Sequence, residues 1–308
     1  MQRLIRIGSR DSSLALWQAK HIENLLKQQG IQTELILVKS EGDINLTSPL
    51  YEMGVQGIFT KTLDIALLTG KIDIAVHSLK DVPTKLPQNL KIAAIPQRVN
   101  VKDVLVYKDA SFTVTEEAGI TIATSSLRRK AQWLNRYPKH EIESIRGNIN
   151  TRLEKLKNTA NWNAALFAAA GLDRIGLDVP FRKEMEWMLP APAQGALAVV
   201  CREDDSEADA ICKTLNHFET WTCTGIERSF LRNLKGGCSI PIAALAVAEK
   251  DKVHFRGNIL SLDGVRKVEV EMEFDLHNCA DAGAQAASKL LSSGGDKIAE
   301  ELKKFMTE

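Results

Sequence analysis

Leu4-Ile5-Arg6-Ile7-Gly8-Ser9-Arg10-Asp11-Ser12-Ser13-Leu14-Ala15-Leu16-Trp17-Gln18-Ala19 runs from a short apolar segment, through a polar turn, into an amphipathic one. Ser12 has the character of a helix N-cap, since its hydroxyl can accept from a free N–H of the first turn. Ala15, Ala19, Ile22 and Leu26 follow at spacings of four, three and four, which is one face of a helix. Gly30 ends it, and 34–38 reads as a second strand. Phe59, Leu63, Ala66 and Leu67 mark another helix, and 72–76 a buried strand. This β-α-β-α-β order predicts a mostly parallel sheet with helices on its faces.

The same alternation starts again near Val104, with strands expected at 120–123, 142–145 and 165–168. Helices are expected from Ser126 and over Ile149, Leu153 and Leu156. Leu189-Pro190-Ala191-Pro192-Ala193-Gln194-Gly195 reads as a loop or hinge, and 196–200 as a strand that could return to the first sheet. The last third differs. Val268, Val270, Met272 and Phe274 alternate with Lys267, Glu269, Glu271 and Glu273, the mark of a half-exposed antiparallel strand. Partner strands are expected at 240–247 and 253–259, and helices at 223–234, 280–291 and 297–305.

A chain of 308 residues with 44% hydrophobic and 26% charged residues has room for about two or three cores and is neither disordered nor coiled-coil. Forty basic against 39 acidic residues give a net charge of +1, which excludes binding through a bulk basic surface. Five widely spaced cysteines argue against a disulfide framework, and none has zinc-ligand spacing, so no metal is expected. Cys201, Cys212, Cys223 and Cys279 fall within element patterns and read as structural. Nucleotide-binding and hydrolase motifs rich in glycine are missing. Arginines interrupt the N-terminal apolar run and no apolar stretch approaches a membrane span, so a soluble cytoplasmic protein is expected.

The near-zero net charge conceals a local imbalance. Between Thr121 and Arg152 stand Arg128, Arg129, Lys130, Arg136, Lys139, Arg146 and Arg152 against Glu141 and Glu143, leaving the remainder of the chain acidic. Thr124-Ser125-Ser126-Leu127-Arg128-Arg129 repeats the strand-to-helix turn at Arg10-Asp11-Ser12, and each places hydroxyls, arginine and free N–H groups at a helix N-terminus, a ready anion site. Arg128 and Arg129, adjacent in sequence, are not expected to face the core of one helix together. Arg146-Gly147-Asn148 sits at a strand end, where glycine lets a ligand approach the backbone. For Lys130, Arg136 and Lys139 a solvated basic face is the ordinary explanation.

His77-Ser78-Leu79-Lys80-Asp81-Val82-Pro83 follows a buried strand, and the carboxyl ends of parallel strands are where open α/β sheets bind ligands. Asp81, ahead of Val82-Pro83, is expected in extended backbone, as either a turn residue or a carboxylate that stabilises a developing cation. Gly236-Gly237-Cys238 leaves a thiol uncovered on one side, either inert and buried or a nucleophile and attachment point.

Together these motifs resemble the porphobilinogen deaminase (hydroxymethylbilane synthase) family. Further landmarks are Gly42-Asp43, Thr151-Arg152-Leu153, Ala170-Gly171-Leu172 and Gln194-Gly195-Ala196. The resemblance implies an α/β fold of two periplasmic-binding-protein-like lobes with mostly parallel mixed sheets, plus a small C-terminal α+β domain. The expected units are 1–98 with 196–215, then 99–195 with the hinge, then 216–308, which carries the cysteine. It implies head-to-tail condensation of four porphobilinogen molecules with loss of ammonia, then hydrolysis to a linear tetrapyrrole. A dipyrromethane cofactor on Cys238, held by a thioether, would prime the reaction. By resemblance, Arg10, Arg128, Arg129, Arg146 and Arg152 bind carboxylates, assisted by Ser12, Lys80, Thr124, Ser125 and Ser126. Asp81 holds pyrrole N–H groups and stabilises the cation left when ammonia departs. Gly147, Gly171 and Gln194 shape the backbone and hinge, and Gln56 and Lys61 belong to a loop. Here the chain departs from the family: Gln56 replaces a common lysine, which is expected to weaken one loop contact to a carboxylate, Thr62 a common glutamate and Ala193 a common glycine. A monomer is expected, without nucleic-acid or membrane partners. Two rival readings are an anion-binding protein without catalysis and a nucleic-acid module using the basic segment. Neither has a use for Gly-Gly-Cys.

Overall fold

The N-terminal apolar run forms β1 (Ile5–Ser9), with Ile5 and Ile7 fully buried. The structure, a computed structural model, describes residues 3–38, 60–235 and 240–305. Helix α1 (Ser13–Gln28) is capped as its sequence predicts, Ser12 Oγ accepting from the Ala15 N–H at 3.3 Å. Its stripe Ala19, Ile22 and Leu26 is buried, and Gly30 follows with φ +79°. Then come β2 (Thr33–Leu37), α2 (Lys61–Leu68), β3 (Ile74–Ser78) and β4 (Leu90–Ala94).

Strand β5 (Asp103–Tyr107) opens a second unit of the same kind. It continues through β6 (Thr121–Ala123), α3 (Leu127–Arg136), β7 (Glu141–Glu143), α4 (Ile149–Asn158), β8 (Ala164–Ala168), α5 (Ala169–Arg174) and β9 (Arg182–Glu184). After the Pro-rich segment, β10 (Leu197–Arg202) re-enters the first sheet, whose order is β2-β1-β3-β10-β4. The pairs β1–β2 and β1–β3 are parallel, and β10 runs antiparallel to both neighbours. The second sheet, β7-β6-β8-β5-β9, is also mixed: β6 pairs parallel with β7 and β8, and β5 antiparallel with β8 and β9. The expected mostly parallel, mixed sheets are therefore present twice. Helix α6 (Ser206–Lys213) packs on the first.

The remainder is an antiparallel meander, β11 (Ile242–Glu249), β12 (Lys252–Leu260) and β13 (Lys267–Asp275). Helices α7 (Phe218–Asn233), α8 (Ala282–Leu290) and α9 (Asp296–Phe305) cover one face. Phe230 meets Phe255 edge-on at 5.0 Å, and a Cβ at Gly257 would lie 2.7 Å from the Phe230 ring, so that glycine sets how closely α7 seats. Helix α7 begins earlier than its apolar pattern suggests, because its cap is His217, whose Nδ1 accepts from the Thr220 N–H at 3.3 Å. Among the described residues no helix is long and apolar enough to cross a membrane.

One ion pair joins the three sheets. Arg98, between the first two, donates from Nη1 and Nη2 to both oxygens of Glu227 on α7, at 2.7 and 3.0 Å. Arg98 Nε also donates to the carbonyl of Gln194 at 2.7 Å. Glu227, 0% exposed, further accepts from the N–H groups of Ala193 at 2.6 Å and Ala246 at 2.8 Å. A charge taken wholly out of water is tolerated only with such complete pairing. Removing the carboxylate strands the guanidinium. Glu227→Ala is expected to destabilise the protein by about 3–5 kcal/mol in urea unfolding followed by circular dichroism. A loss under about 1 kcal/mol would show that the pair is replaceable by solvent.

Candidate active site

The carboxyl ends of β1 and β3 in the first sheet and of β6, β7 and β8 in the second open on one cavity of about 410 Å³. From the first sheet come Arg10, Ser12 and Ser13 after β1, and Ser78, Lys80 and Asp81 after β3. The second supplies Thr124, Ser125, Ser126, Arg128 and Arg129 after β6, Arg146, Gly147, Asn148 and Arg152 after β7, and Gly171 and Arg174 after β8. Gln194 and Gly195 form the hinge wall, and Leu231, Ile240 and Ile242 close it from the C-terminal unit.

Three helix N-termini point at this space. Ser126 caps α3, its Oγ 3.5 Å from the Arg129 N–H, while Thr124 Oγ1 accepts from the Ser126 N–H at 3.2 Å. Ser125 Oγ donates to the Ile145 carbonyl at 2.8 Å and accepts from its N–H at 3.0 Å, tying the α3 turn to the end of β7. The third terminus, added to those of α1 and α3, belongs to α4: Asn148 Oδ1 accepts from the Thr151 N–H at 2.9 Å. Gly147 has φ +113°, and a Cβ there would meet Thr151 at 2.8 Å, so the glycine serves the turn itself. Gly171 lets α5 approach α4, since a Cβ would lie 2.9 Å from Ile149 Cδ1. Arg152 Nε donates back to the Gly147 carbonyl at 2.7 Å.

Contrary to the sequence expectation, Arg128 and Arg129 are both buried, at 5% and 6% exposure. The reason is Asp103, itself 0% exposed at the start of β5. Arg128 Nη1 donates to Asp103 Oδ2 at 2.6 Å and to the Leu189 carbonyl at 2.7 Å. Arg129 Nε and Nη2 grip Asp103 Oδ1 at 3.1 and 2.8 Å. Burial alone would push the Asp103 carboxyl up, but the two guanidiniums more than offset it and hold it well below the usual carboxylate range. Gln194 Nε2 completes the cluster at 2.9 Å from Asp103 Oδ1, and its Oε1 accepts from Lys80 Nζ at 3.2 Å.

The cations around the opening have lost solvation. Burial pushes Lys80 down to about 8, and burial with nearby Arg129 and Arg146 pushes Arg152 down to about 10. Arg174, also lowered to about 10 by burial, was not anticipated from sequence. It stands two residues beyond the Ala170-Gly171-Leu172 landmark on a short apolar helix, which was the available signal. Its Nη2 donates to the Gly195 carbonyl at 2.7 Å, its guanidinium lies 5.8 Å over the Trp17 ring, and its buried Nε has no partner. Asp81 is exposed in this cationic setting. It belongs to a 3-10 turn, Leu79–Asp81, so the extended residue before Pro83 is Val82, with φ −82° and ψ 125°, and not Asp81 as its sequence position suggested. Proline restrains only its immediate predecessor.

Lys61 opens α2, exposed and apart from the cavity lining. Gln56, Cys238 and the Gly42-Asp43 landmark lie outside the described residues. Leu231 and Ile240, on either side of the segment containing Cys238, line the cavity. Of the other cysteines, Cys201, Cys212 and Cys223 are buried and Cys279 half-buried. Burial pushes the thiols of Cys201 to about 11 and Cys223 to about 12, which makes poor nucleophiles of them.

The chain matches two family models. Residues 5–210 match "Porphobilinogen deaminase, dipyromethane cofactor binding domain" and residues 221–292 match "Porphobilinogen deaminase, C-terminal domain". The porphobilinogen deaminase of Desulforamulus reducens is 40% identical over 98% of this chain and 99% of its own length. A probable porphobilinogen deaminase of Methanocella arvoryzae is 40% identical over 97% and 99%, and that of Cytophaga hutchinsonii 38% identical over the full length of both.

The lowered Lys80 gives the cavity a pH signature. With its charge present below about 8 and lost above, a small dicarboxylate is expected to bind more weakly as pH rises from 7 to 9. Calorimetric titration measures this, and Lys80→Met should flatten the dependence. An equal slope in that variant would assign the titration elsewhere.

Proposed function

The chain belongs to the porphobilinogen deaminase family, a transferase family of tetrapyrrole biosynthesis, and from that premise we propose how its own residues divide the work of condensing porphobilinogen into a linear tetrapyrrole. The observation that carries the proposal is one carboxylate, Asp81, sharing a cavity with Arg10, Lys80, Arg146, Arg152 and Arg174. Each pyrrole unit brings an acetate and a propionate, so the cavity must receive a poly-anion while stabilising one cation at the reacting centre.

The arginines take the carboxylates. Guanidinium groups pair with carboxylates through two parallel bonds and stay charged throughout turnover. Arg10, Arg146, Arg152 and Arg174 are the direct binders, together with the N–H groups at the starts of α1, α3 and α4. Arg128 and Arg129 act alongside them from a buried position, their charge partly spent on Asp103. Ser12, Ser125, Ser126 and Thr124 shape those N-termini through the bonds described above.

A dipyrromethane suits these residues. Arg174 keeps an unpartnered buried Nε–H, and burial lowers Lys80, Arg152 and Arg174 together, an excess of poorly solvated positive charge that an acidic cofactor relieves. When bound, the cofactor supplies the nucleophilic pyrrole carbon from which the chain grows. We assign its thioether attachment to Cys238, supported by the cavity-lining positions of Leu231 and Ile240 around that segment and by the raised thiols elsewhere. Asp81 accepts from pyrrole N–H groups and stabilises the positive charge that develops as ammonia leaves. The same reading assigns the units 1–98 with 196–215, 99–195 and 216–308, with Gln56 on a loop beside the site; Lys61, expected on that loop, instead opens α2. It describes a cytoplasmic monomer without nucleic-acid or membrane partners.

Intact-protein mass spectrometry is expected to show an adduct of two linked pyrroles on the peptide containing Cys238. An active protein with that thiol unmodified would defeat the assignment. Asp81→Asn, which removes charge and keeps shape, is expected to lower kcat by about 10²–10³-fold with the fold intact by circular dichroism. Near-normal turnover would refute the role of Asp81.

A further inference from the structure

The turn that carries Asp81 is held from outside the cavity. Before it, the Leu79 N–H donates to the Ala196 carbonyl at 3.0 Å, which fastens the turn to the strand leaving the hinge. Beyond it the Val82 N–H turns back to the Leu79 carbonyl at 3.2 Å, inside the turn itself. Pro83 offers no N–H, and the next strand begins only at Leu90. Arg228, on α7, fills this gap. Its Nη1 donates to the carbonyls of Leu79 at 3.2 Å and Val82 at 2.8 Å, and its Nη2 to that of Pro83 at 2.7 Å. Those three carbonyls bracket Asp81 on both sides. A planar guanidinium presents its donors in a fixed fork, so contacts to three backbone oxygens set position and tilt together, which a single ammonium does poorly.

We propose that Arg228 is a positioning residue for the condensation, fixing the Asp81 carboxylate in register with α7, the helix that leads directly into Gly236-Gly237-Cys238. The proposal rests on the reading of Asp81 above. Its neighbour Glu227 secures the hinge through Ala193. Successive residues of one helix therefore hold the hinge and the turn that carries the reacting carboxylate, and that helix ends at Asn233, ahead of the proposed attachment segment in sequence. The turn carrying the charge-stabilising group is thus tied to the helix that precedes the proposed attachment segment in sequence. Displacement of a reacting group by about 1 Å costs on the order of 10²-fold in rate.

The experiment is a double-mutant cycle on the full-length, cofactor-loaded enzyme: Arg228→Leu and Arg228→Lys, each with Asp81 intact and with Asp81→Glu. With Asp81 intact, Arg228→Leu is expected to lower kcat by about 10–100-fold and change KM by less than about twofold, since the cavity arginines are untouched. Arg228→Lys should restore part of that loss. Intact mass should show the adduct in every variant. In the Asp81→Glu background, where the carboxylate is already displaced, Arg228→Leu should cost less than about threefold, because both residues act through one group. Equal losses in the two backgrounds, or KM rising as kcat falls, would make Arg228 a packing contact and overturn the proposal. If Arg228→Leu does not fold, Arg228→Lys carries the same cycle, and additive losses there overturn it equally. Failure of the underlying reading shows separately, as near-normal turnover in Asp81→Asn with Arg228 intact, and it removes the proposal's premise.

Discussion

A single buried carboxylate, Asp103, organises the cationic side of this molecule. It is the first residue of β5, 0% exposed, and meets two guanidiniums and an amide. The cost of burying Asp103 is offset by its two guanidinium partners, which keep one positive charge in excess, and the consequence is directional. Arg128 and Arg129 are drawn inward, which brings the N-terminus of α3 to the cavity wall. Gln194 is drawn in from the hinge, its Nε2 donating to Asp103 while its Oε1 accepts from Lys80 on the first sheet. A chain of polar contacts thus crosses from one sheet to the other beneath the site. The cations left facing the opening are those with poorly solvated, incompletely neutralised charge.

The second constraint is the pair Arg98–Glu227, which plays toward the C-terminal unit the part Asp103 plays between the sheets. Glu227 spends its acceptor capacity on one guanidinium and two backbone N–H groups from different parts of the chain. Close packing reinforces it. A Cβ at Gly283 would meet the Ile226 carbonyl at 2.4 Å, so α7 and α8 approach to a distance only glycine permits. Helix α7 is therefore held rigidly at its middle while its C-terminal end borders the cavity.

Local signals in the sequence were reliable where the physics is local. Ser12 and Ser126 cap their helices because a hydroxyl one residue ahead of an apolar stripe has little else to do. The return of the segment after Gly195 to the first sheet follows from an apolar run too short for a helix and flanked by hinge residues. What escaped was long-range. Asp103 precedes Val104-Leu105-Val106 and reads as an ordinary residue at a strand start, since its partners lie 25 and 26 positions away. The burial of adjacent arginines was invisible for the same reason. Helix α7 hid its start behind a histidine cap, and Arg228 drew no expectation because its three partners are carbonyls 145 to 149 positions away. Asp81 was located correctly and given the wrong backbone, one residue off the effect of Pro83.

The chain passes between its first two sheets twice, outward around Arg98 and Val99 and back through Gln194 and Gly195. These strands of chain are stitched side by side: Val99 N–H to the Gly195 carbonyl at 3.3 Å and Arg98 Nε to the Gln194 carbonyl at 2.7 Å. Two adjacent crossings define a line, as two pins define the axis of a door. Stretching, shearing or sliding the sheets apart would break the stitches, whereas turning about the line leaves them whole. Rotation about the line is the relative movement of the two sheets that keeps both stitches, and Arg10 and Arg146 stand on opposite sides of it.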